Sequence, residues 1–196
     1  GDACRSLILP NSAVDPTGFA TRIQGVCGQE NVDLVIPVGF ASCDALAHNP
    51  EIGHTARVRL ALPGQGVFDR ASDKWEMNQL VKSLGLQVPD SMSASDFGSL
   101  RYFAGRHPHT IVKSRRESWG KGTSRLFAST DPSAFESQLR GAMGGKDPEK
   151  FMVQEYVPGH GAGYMALCID GRIVREFSHR RLREWPPDGG FATAAI

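Results

Sequence analysis

Two short apolar segments on either side of a basic, glycine-containing loop constrain this chain most. Thr110-Ile111-Val112 reads as a strand and delivers Lys113 at its end. A loop carrying Arg115, Arg116, Lys121 and Arg125 around Gly120 and Gly122 follows, and Leu126-Phe127-Ala128 returns as a second apolar strand that supplies a core face. Glycine lets backbone N–H groups come close to a ligand and the cations neutralise charge, so such a hairpin suits a polyanion. It is not a P-loop, which needs Gly-Lys-Ser/Thr leading into a helix. Here the order is Gly120-Lys121-Gly122-Thr123 and a strand follows. The alternative reading is a flexible, solvated hairpin, because basic hairpins are common.

A near-neutral balance makes any anion site local. The chain of 196 residues has a formal net charge of +1, which gives no reason to expect nucleic acid or a membrane as the main partner. Its 40% hydrophobic and 22% charged residues are ordinary for a globular protein of one large domain or two small ones. No run approaches the length of a transmembrane helix, and the N-terminus has no signal segment. Cys4, Cys27, Cys43 and Cys168 are too dispersed for a CxxC pair or a disulfide framework. We read them as buried free thiols in a reducing, cytoplasmic compartment. His54, His107, His109 and His179 show no metal-ligand spacing.

Taken in order, Leu7–Pro10 is a short strand and Gly18–Cys27 a helix stopped by Gly28. Val32–Val38 is a nearly continuous apolar run, expected as a strand buried on both faces of a parallel sheet. A helix through Cys43–His48 and a strand at Arg57–Pro63 follow, which makes a piece of an α/β layer without its first unit. Gly64-Gln65-Gly66 reads as a linker near a domain boundary. Ser72–Gly85 is the clearest helix: Asp73 can cap it, Glu76 sits three residues on, and Met77, Leu80, Val81 and Leu84 form a stripe. Lys74 lies in its first turn, where the positive helix end disfavours a cation unless an anion is near. Leu86–Pro89 is extended, and Ser95–Gly105 is a helix with Phe97, Leu100, Phe103 and Ala104 inward. After the hairpin come a helix at Asp131–Met143, with Pro132 in its first position and Phe135, Leu139, Ala142 and Met143 as its stripe, and a strand at Phe151–Val157. Tyr164–Ile169 and Arg172–Phe177 flank Asp170-Gly171, a strong hairpin signal. A basic, then turn-rich tail runs from His179 to Gly190.

The order is the specific feature: a helix opening on Asp-Lys, Gly-Leu-Gln-Val-Pro, a strand with lysine, a glycine hairpin, a helix, then Met-Val-Gln-Glu-Tyr-Val-Pro-Gly. From about Val32 onward this resembles the ATP-grasp family, and His179–Gly190 is similar to its carbamoyl-phosphate-synthetase-like, carboxylate–amine ligase branch. The resemblance implies an α/β and α+β chain: a partial pre-grasp α/β domain over 1–67, a small lobe with the flap over 68–153, and the start of a large lobe over 154–196. It implies ATP as cofactor and an acyl phosphate made from a small-molecule carboxylate for attack by an amine or other nucleophile. Lys74 and Lys113 would reach the ATP phosphates, and Ser118, Trp119, Gly120, Lys121 and Gly122 would form the flap over them. Gln154, Glu155, Tyr156 and Val157 would be the hinge strand that recognises adenine, with His160 a ribose contact. Arg180 and Arg181 would sit at the phosphoryl end, as the catalytic pair. Cations there would stabilise charge on the transferring phosphoryl group.

Three departures from the family accompany these matches. Many members carry a ribose-binding Glu a few residues past the hinge, but Gly159-His160-Gly161-Ala162-Gly163 holds no acid. The Glu-x-Asn pattern that binds Mg²⁺ is absent, since only Glu184 and Asp188 are acidic after Arg183; magnesium ligands are expected outside this segment. The N-terminal layer also lacks its first unit, so the chain is expected to be a fragment of a longer enzyme, inactive alone. A non-catalytic, degenerate nucleotide-binding module is the alternative. A protein- or RNA-binding role for the hairpin is disfavoured by the net charge and by the lack of aromatic interleaving beyond Trp119. Oligomeric state, a homodimer included, stays open.

Overall fold

A computed structural model describes residues 6–49, 58–116, 123–127, 132–185 and 191–196. The chain divides into two compact units, Gly1–Met77 and Asn78–Ile196.

The first unit starts with α1, Pro16–Gln29. Asp15 accepts from the Gly18 N–H at 2.8 Å and Pro16 takes the first helical position, where its missing N–H costs nothing. The helix therefore starts before Gly18 and runs through Gly28. Residues 7–10 form no strand, although Leu9 joins the core. The strand expected over Val32–Val38 is reduced to β1, Leu34–Val35, parallel to β2, Arg59–Leu60. It is not buried on both faces: Ile36 is 66% and Val38 84% exposed. Among the described residues only two strands pair here, so there is no second layer to cover the outer face. Val35, Leu60 and Leu62 pack inward on Phe19, Ala20, Ala45 and Leu46. Gly39, at φ 93°, opens α2, Phe40–Ala47, in a conformation that favours glycine.

The presumed linker at residues 64–66 is instead the start of α3, Gln65–Ser72. Its buried Phe68 stacks on Phe40 with ring centroids 6.1 Å apart, and this packing overrides the poor propensity of Gly66. The helix expected over Ser72–Gly85 is α4, Lys74–Ser83, two residues shorter at each end, and α3 precedes it. Asp73 ends α3 and caps α4, accepting from the N–H groups of Trp75 (2.9 Å) and Glu76 (3.2 Å).

The second unit contains the rest of α4 and a four-stranded antiparallel sheet ordered β3-β6-β4-β5. These strands are Ser91–Ser93, Phe151–Glu155, His109–Ser114 and Thr123–Phe127 respectively. β3 lies just beyond the stretch read as merely extended. α5 (Phe97–Arg106, capped by Asp96) and α6 (Pro132–Met143) cover one face. Leu100, Phe103, Val112, Leu126, Phe135, Leu139 and Val153 form the core there. Leu100, Phe103, Phe135 and Leu139 are inward positions that the periodicity of their helices predicts.

The antiparallel hairpin of β7, Ala162–Ile169, and β8, Arg172–Trp185, turns on Asp170 (φ 49°) and Gly171 (φ 74°), as expected. β8 does not stop at Phe177: it extends through the basic tail and pairs with β9, Phe191–Ala195, which the sequence reading misses. Arg180 and Ile196 exchange backbone bonds of 2.8 and 3.0 Å in continuation of this ladder. Cys168 is exposed on β7, contrary to the expectation of four buried thiols, whereas Cys27 is buried. Cys4 lies outside the described residues.

Candidate functional site

The four-stranded sheet has a second face, opposite the helices. On a strand, alternate residues share a face, so Thr110 and Val112 point to the core while Ile111 and Lys113 point away. The register pairs Ile111 with Gln154 and Ser91 with Gln154, which sets Ser91, Gln154 and Lys113 on the same face of three adjacent strands. Lys113 Nζ donates to Gln154 Oε1 at 2.6 Å, and Gln154 Nε2 donates to Ser91 Oγ at 3.0 Å. Ser91 Oγ in turn donates to the Pro89 carbonyl at 2.9 Å. Asn78 Nδ2, from the buried side of α4, reaches Ser91 Oγ (3.3 Å) and the same carbonyl (3.2 Å).

This network has one consistent polarity. The single hydroxyl proton of Ser91 is committed to Pro89, so its oxygen can only accept from Gln154 and Asn78. That leaves the Gln154 oxygen, not its NH₂, facing the ammonium of Lys113. Gln154 is 9% exposed, so it is not the solvated outer face of an alternating strand.

The strand end beyond it is braced differently. Glu155 N–H donates to the Asp90 carbonyl (2.9 Å), and Asp90 N–H returns a bond to Glu155 Oε1 (3.0 Å). His107 sits between two carboxylates, with Nε2 3.1 Å from Asp90 Oδ2 and Nδ1 3.2 Å from Glu155 Oε2. Tyr156 N–H donates to the His109 carbonyl at 2.9 Å, and the Arg125 guanidinium lies 4.7 Å over the Tyr156 ring. These two contacts close a cleft of about 200 Å³ lined by His109, Thr110, Arg125, Leu126 and Tyr156. The Glu155 N–H is taken by Asp90, on the side away from β4, and within a strand the Glu155 carbonyl shares that side.

No family model matches the sequence, and no curated protein matches it. Solved structures do. The chain is similar to D-alanyl-alanine synthetase A from Vibrio cholerae, with a TM-score of 0.60 at 13% identity over 84% of this chain and 51% of that one. It is similar to pyruvate carboxylase from Rhizobium etli, with a TM-score of 0.64 at 14% identity over 92% of this chain and 16% of that one. The biotin carboxylase domain of 2-oxoglutarate carboxylase from Hydrogenobacter thermophilus, solved with MgADP, ADP and bicarbonate, gives 0.57 at 12% identity over 75% and 34%. The fold is that of the ATP-grasp ligases. This chain spans about half of the synthetase and a third or less of the two carboxylases.

Within this ATP-grasp fold the residues singled out from sequence fall as follows. Lys113 and Gln154 are brought together across β4 and β6, while Glu155 ends β6 beside Asp90 and His107, and Tyr156 follows it beside His109 at the other end of β4. Val157 and His160 follow on the exposed segment that leads into β7. Arg180 and Arg181 lie on β8, with Arg181 Nη1 3.3 Å from Glu184 Oε1. Lys74 is the first residue of α4 and belongs to the first unit, beside the capping carboxylate of Asp73. Ser118, Trp119, Gly120, Lys121 and Gly122 lie outside the described residues. Asn78, Ser91 and His107 escape the sequence reading. Asn78 falls next to the apolar stripe of its helix rather than on it, and Ser91 sits on a strand too short to show a period. Among the described residues, no three His, Cys, Asp or Glu side chains converge as a metal site.

Proposed function

We propose that this chain is the nucleotide-binding part of a ligase that uses ATP to activate a carboxylate as an acyl phosphate for attack by an amine or similar nucleophile. The observation that carries the reading is the directed network that holds the Lys113 ammonium against a neutral amide oxygen beside the strand end of β6. A neutral acceptor orients the cation and adds no negative charge of its own, which suits a lysine that is to meet phosphate oxygens. Directly after Gln154, the Glu155 carbonyl and the Val157 N–H, two residues apart, would form an acceptor and a donor on one edge. That pair is complementary to the N6 amino group and N1 of adenine. Arg180 and Arg181 supply positive charge for the phosphoryl end, as phosphoryl transfer requires. Among the described residues no His, Cys, Asp and Glu side chains converge as a Mg²⁺ site. The substrates on this reading are small molecules, and the free thiols Cys27, Cys43 and Cys168 fit a reducing cytoplasm.

The test is isothermal titration of the chain with ATP, alongside Lys113→Ala. Binding that weakens at least tenfold in the variant supports the reading, since removing a charged hydrogen-bond donor costs about 1.5–3 kcal/mol. Absence of ATP binding, or equal affinity in the variant, would sink it. A non-catalytic nucleotide-binding module is the second reading, favoured by the lack of converging metal ligands among the described residues. It predicts ATP binding without phosphate release whatever carboxylate and amine are offered.

A further inference from the structure

The pair of residues that closes the β3–β6 ladder breaks the rule of that ladder. In a hydrogen-bonded antiparallel pair, the two residues exchange both N–H···O bonds, and such pairs recur at every second position. The Ala94 N–H donates to the Phe151 carbonyl at 3.2 Å, so by the register Asp90 and Glu155 stand at such a position. The Glu155 N–H makes its half of the exchange, to the Asp90 carbonyl at 2.9 Å. The Asp90 N–H does not return to the Glu155 carbonyl; it goes to Glu155 Oε1 at 3.0 Å. The Glu155 side chain thus takes the donor that a regular ladder would give to its own main-chain carbonyl. Pro89, next along, has no N–H to replace it.

The diversion lasts only while the Glu155 carboxylate stays on the Asp90 amide, and His107 holds it there. His107 Nδ1 stands 3.2 Å from the second oxygen, Oε2, and Nε2 stands 3.1 Å from Asp90 Oδ2. Both partners are acceptors, so the ring acts as a donor between them. The ring is itself fixed. It packs on Phe103 with centroids 4.6 Å apart, and its main-chain N–H donates to the Phe103 carbonyl at 3.0 Å. Arg106 Nη2 meets the same Asp90 oxygen at 3.1 Å. With 32% of its side chain exposed, an unheld Glu155 carboxylate would turn to water and release the Asp90 N–H to the ladder. We propose that His107 is a positioning residue: by holding the Glu155 carboxylate on the Asp90 N–H, it keeps the Glu155 main-chain carbonyl open to a ligand donor, the amino group of a 6-aminopurine. The inference rests on the nucleotide reading above and adds to it the side chains that keep the base-reading carbonyl open.

The experiment compares ATP with purine riboside 5′-triphosphate, which lacks the 6-amino group, by isothermal titration on the wild-type chain, His107→Phe and Glu155→Met. His107→Phe keeps a ring on Phe103; Glu155→Met keeps the side-chain length and removes the carboxylate. Both leave the main-chain carbonyl in place. The wild type should bind ATP about fivefold more tightly than the analogue, the value of one neutral hydrogen bond. In both variants that gap should close to within twofold, while the analogue binds about as well as it binds the wild type. A merely structural role would weaken both ligands alike and leave the gap, and that result in His107→Phe overturns the proposal. If the wild type binds ATP and the analogue equally, the proposal falls while the nucleotide reading stands. If ATP itself does not bind, both fall. Should a variant not fold, the wild type decides by NMR correlation through hydrogen bonds. The Asp90 amide should couple to the side-chain carboxyl carbon of Glu155, and coupling to the main-chain carbonyl carbon instead overturns the proposal.

Discussion

Changing Gln154 to Glu replaces one heavy atom and separates the fold from the function of this site. In the wild-type chain the Lys113 ammonium is 2.6 Å from a neutral oxygen. Gln154→Glu puts a carboxylate there. A phosphate oxygen bound on the far side of the ammonium would lie about 5 Å from the new charge, a repulsion of about 3 kcal/mol at an effective dielectric near 20. That corresponds to about a hundredfold in Kd, and solvent at this half-open face brings the expected loss to between tenfold and a hundredfold. Stability should move little. The new ion pair gains, while loss of the Gln154 Nε2 donor to Ser91 costs about 1 kcal/mol. The assay is isothermal titration with ATP at two salt concentrations, paired with thermal melts. The affinity loss should shrink at high salt, because an exposed charge is screened. Gln154→Met, which removes the acceptor and adds no charge, should weaken binding less than Gln154→Glu does. Equal ATP affinity in Gln154→Glu and wild type, or a larger loss in Gln154→Met, would refute the electrostatic reasoning.

Leu139 on α6 is 0% exposed, so Leu139→Ala should cost about 2–5 kcal/mol, whereas Leu84→Ala, on an exposed side chain, should stay within about 0.5 kcal/mol. Urea unfolding with unchanged slopes checks the pair, and similar midpoints would contradict the assigned core. Thiol chemistry gives an independent check. Burial raises the Cys27 and Cys43 thiols above their ordinary range, leaving little thiolate at pH 8, so a disulfide reagent should modify exposed Cys168 before either of them. Their labelling should speed up as pH rises through 9, and Cys27 reacting as fast as Cys168 at pH 8 would be the contrary result.

Local signals were legible where one segment carried its own period and cap. α5 and α6 bury the stripes read for them because a 3.6-residue period needs only one surface to pack on. Asp170-Gly171 turned as predicted because both residues adopt positive φ without help from the rest of the fold. Lys113 and Gln154 could be named from the order of motifs, although 41 residues separate them. What failed was context. Val32–Val38 has the composition of a buried parallel strand, but burial depends on neighbouring strands, and only Arg59–Leu60 pairs with it among the described residues. Gly64-Gln65-Gly66 looks like punctuation until Phe68 finds Phe40.

The sequence by itself determined the hairpins, the caps and the ordered series of cations and polar strand residues, because each is set by nearest neighbours along the chain. Only the tertiary structure decided what those residues meet. Ser91 on β3 and Asn78 on α4 orient the Gln154 amide toward Lys113, and His107 after α5 stands between Asp90 and Glu155. Those contacts depend on strand register and sheet order, which arise when separate segments bury apolar faces together and which no single segment encodes.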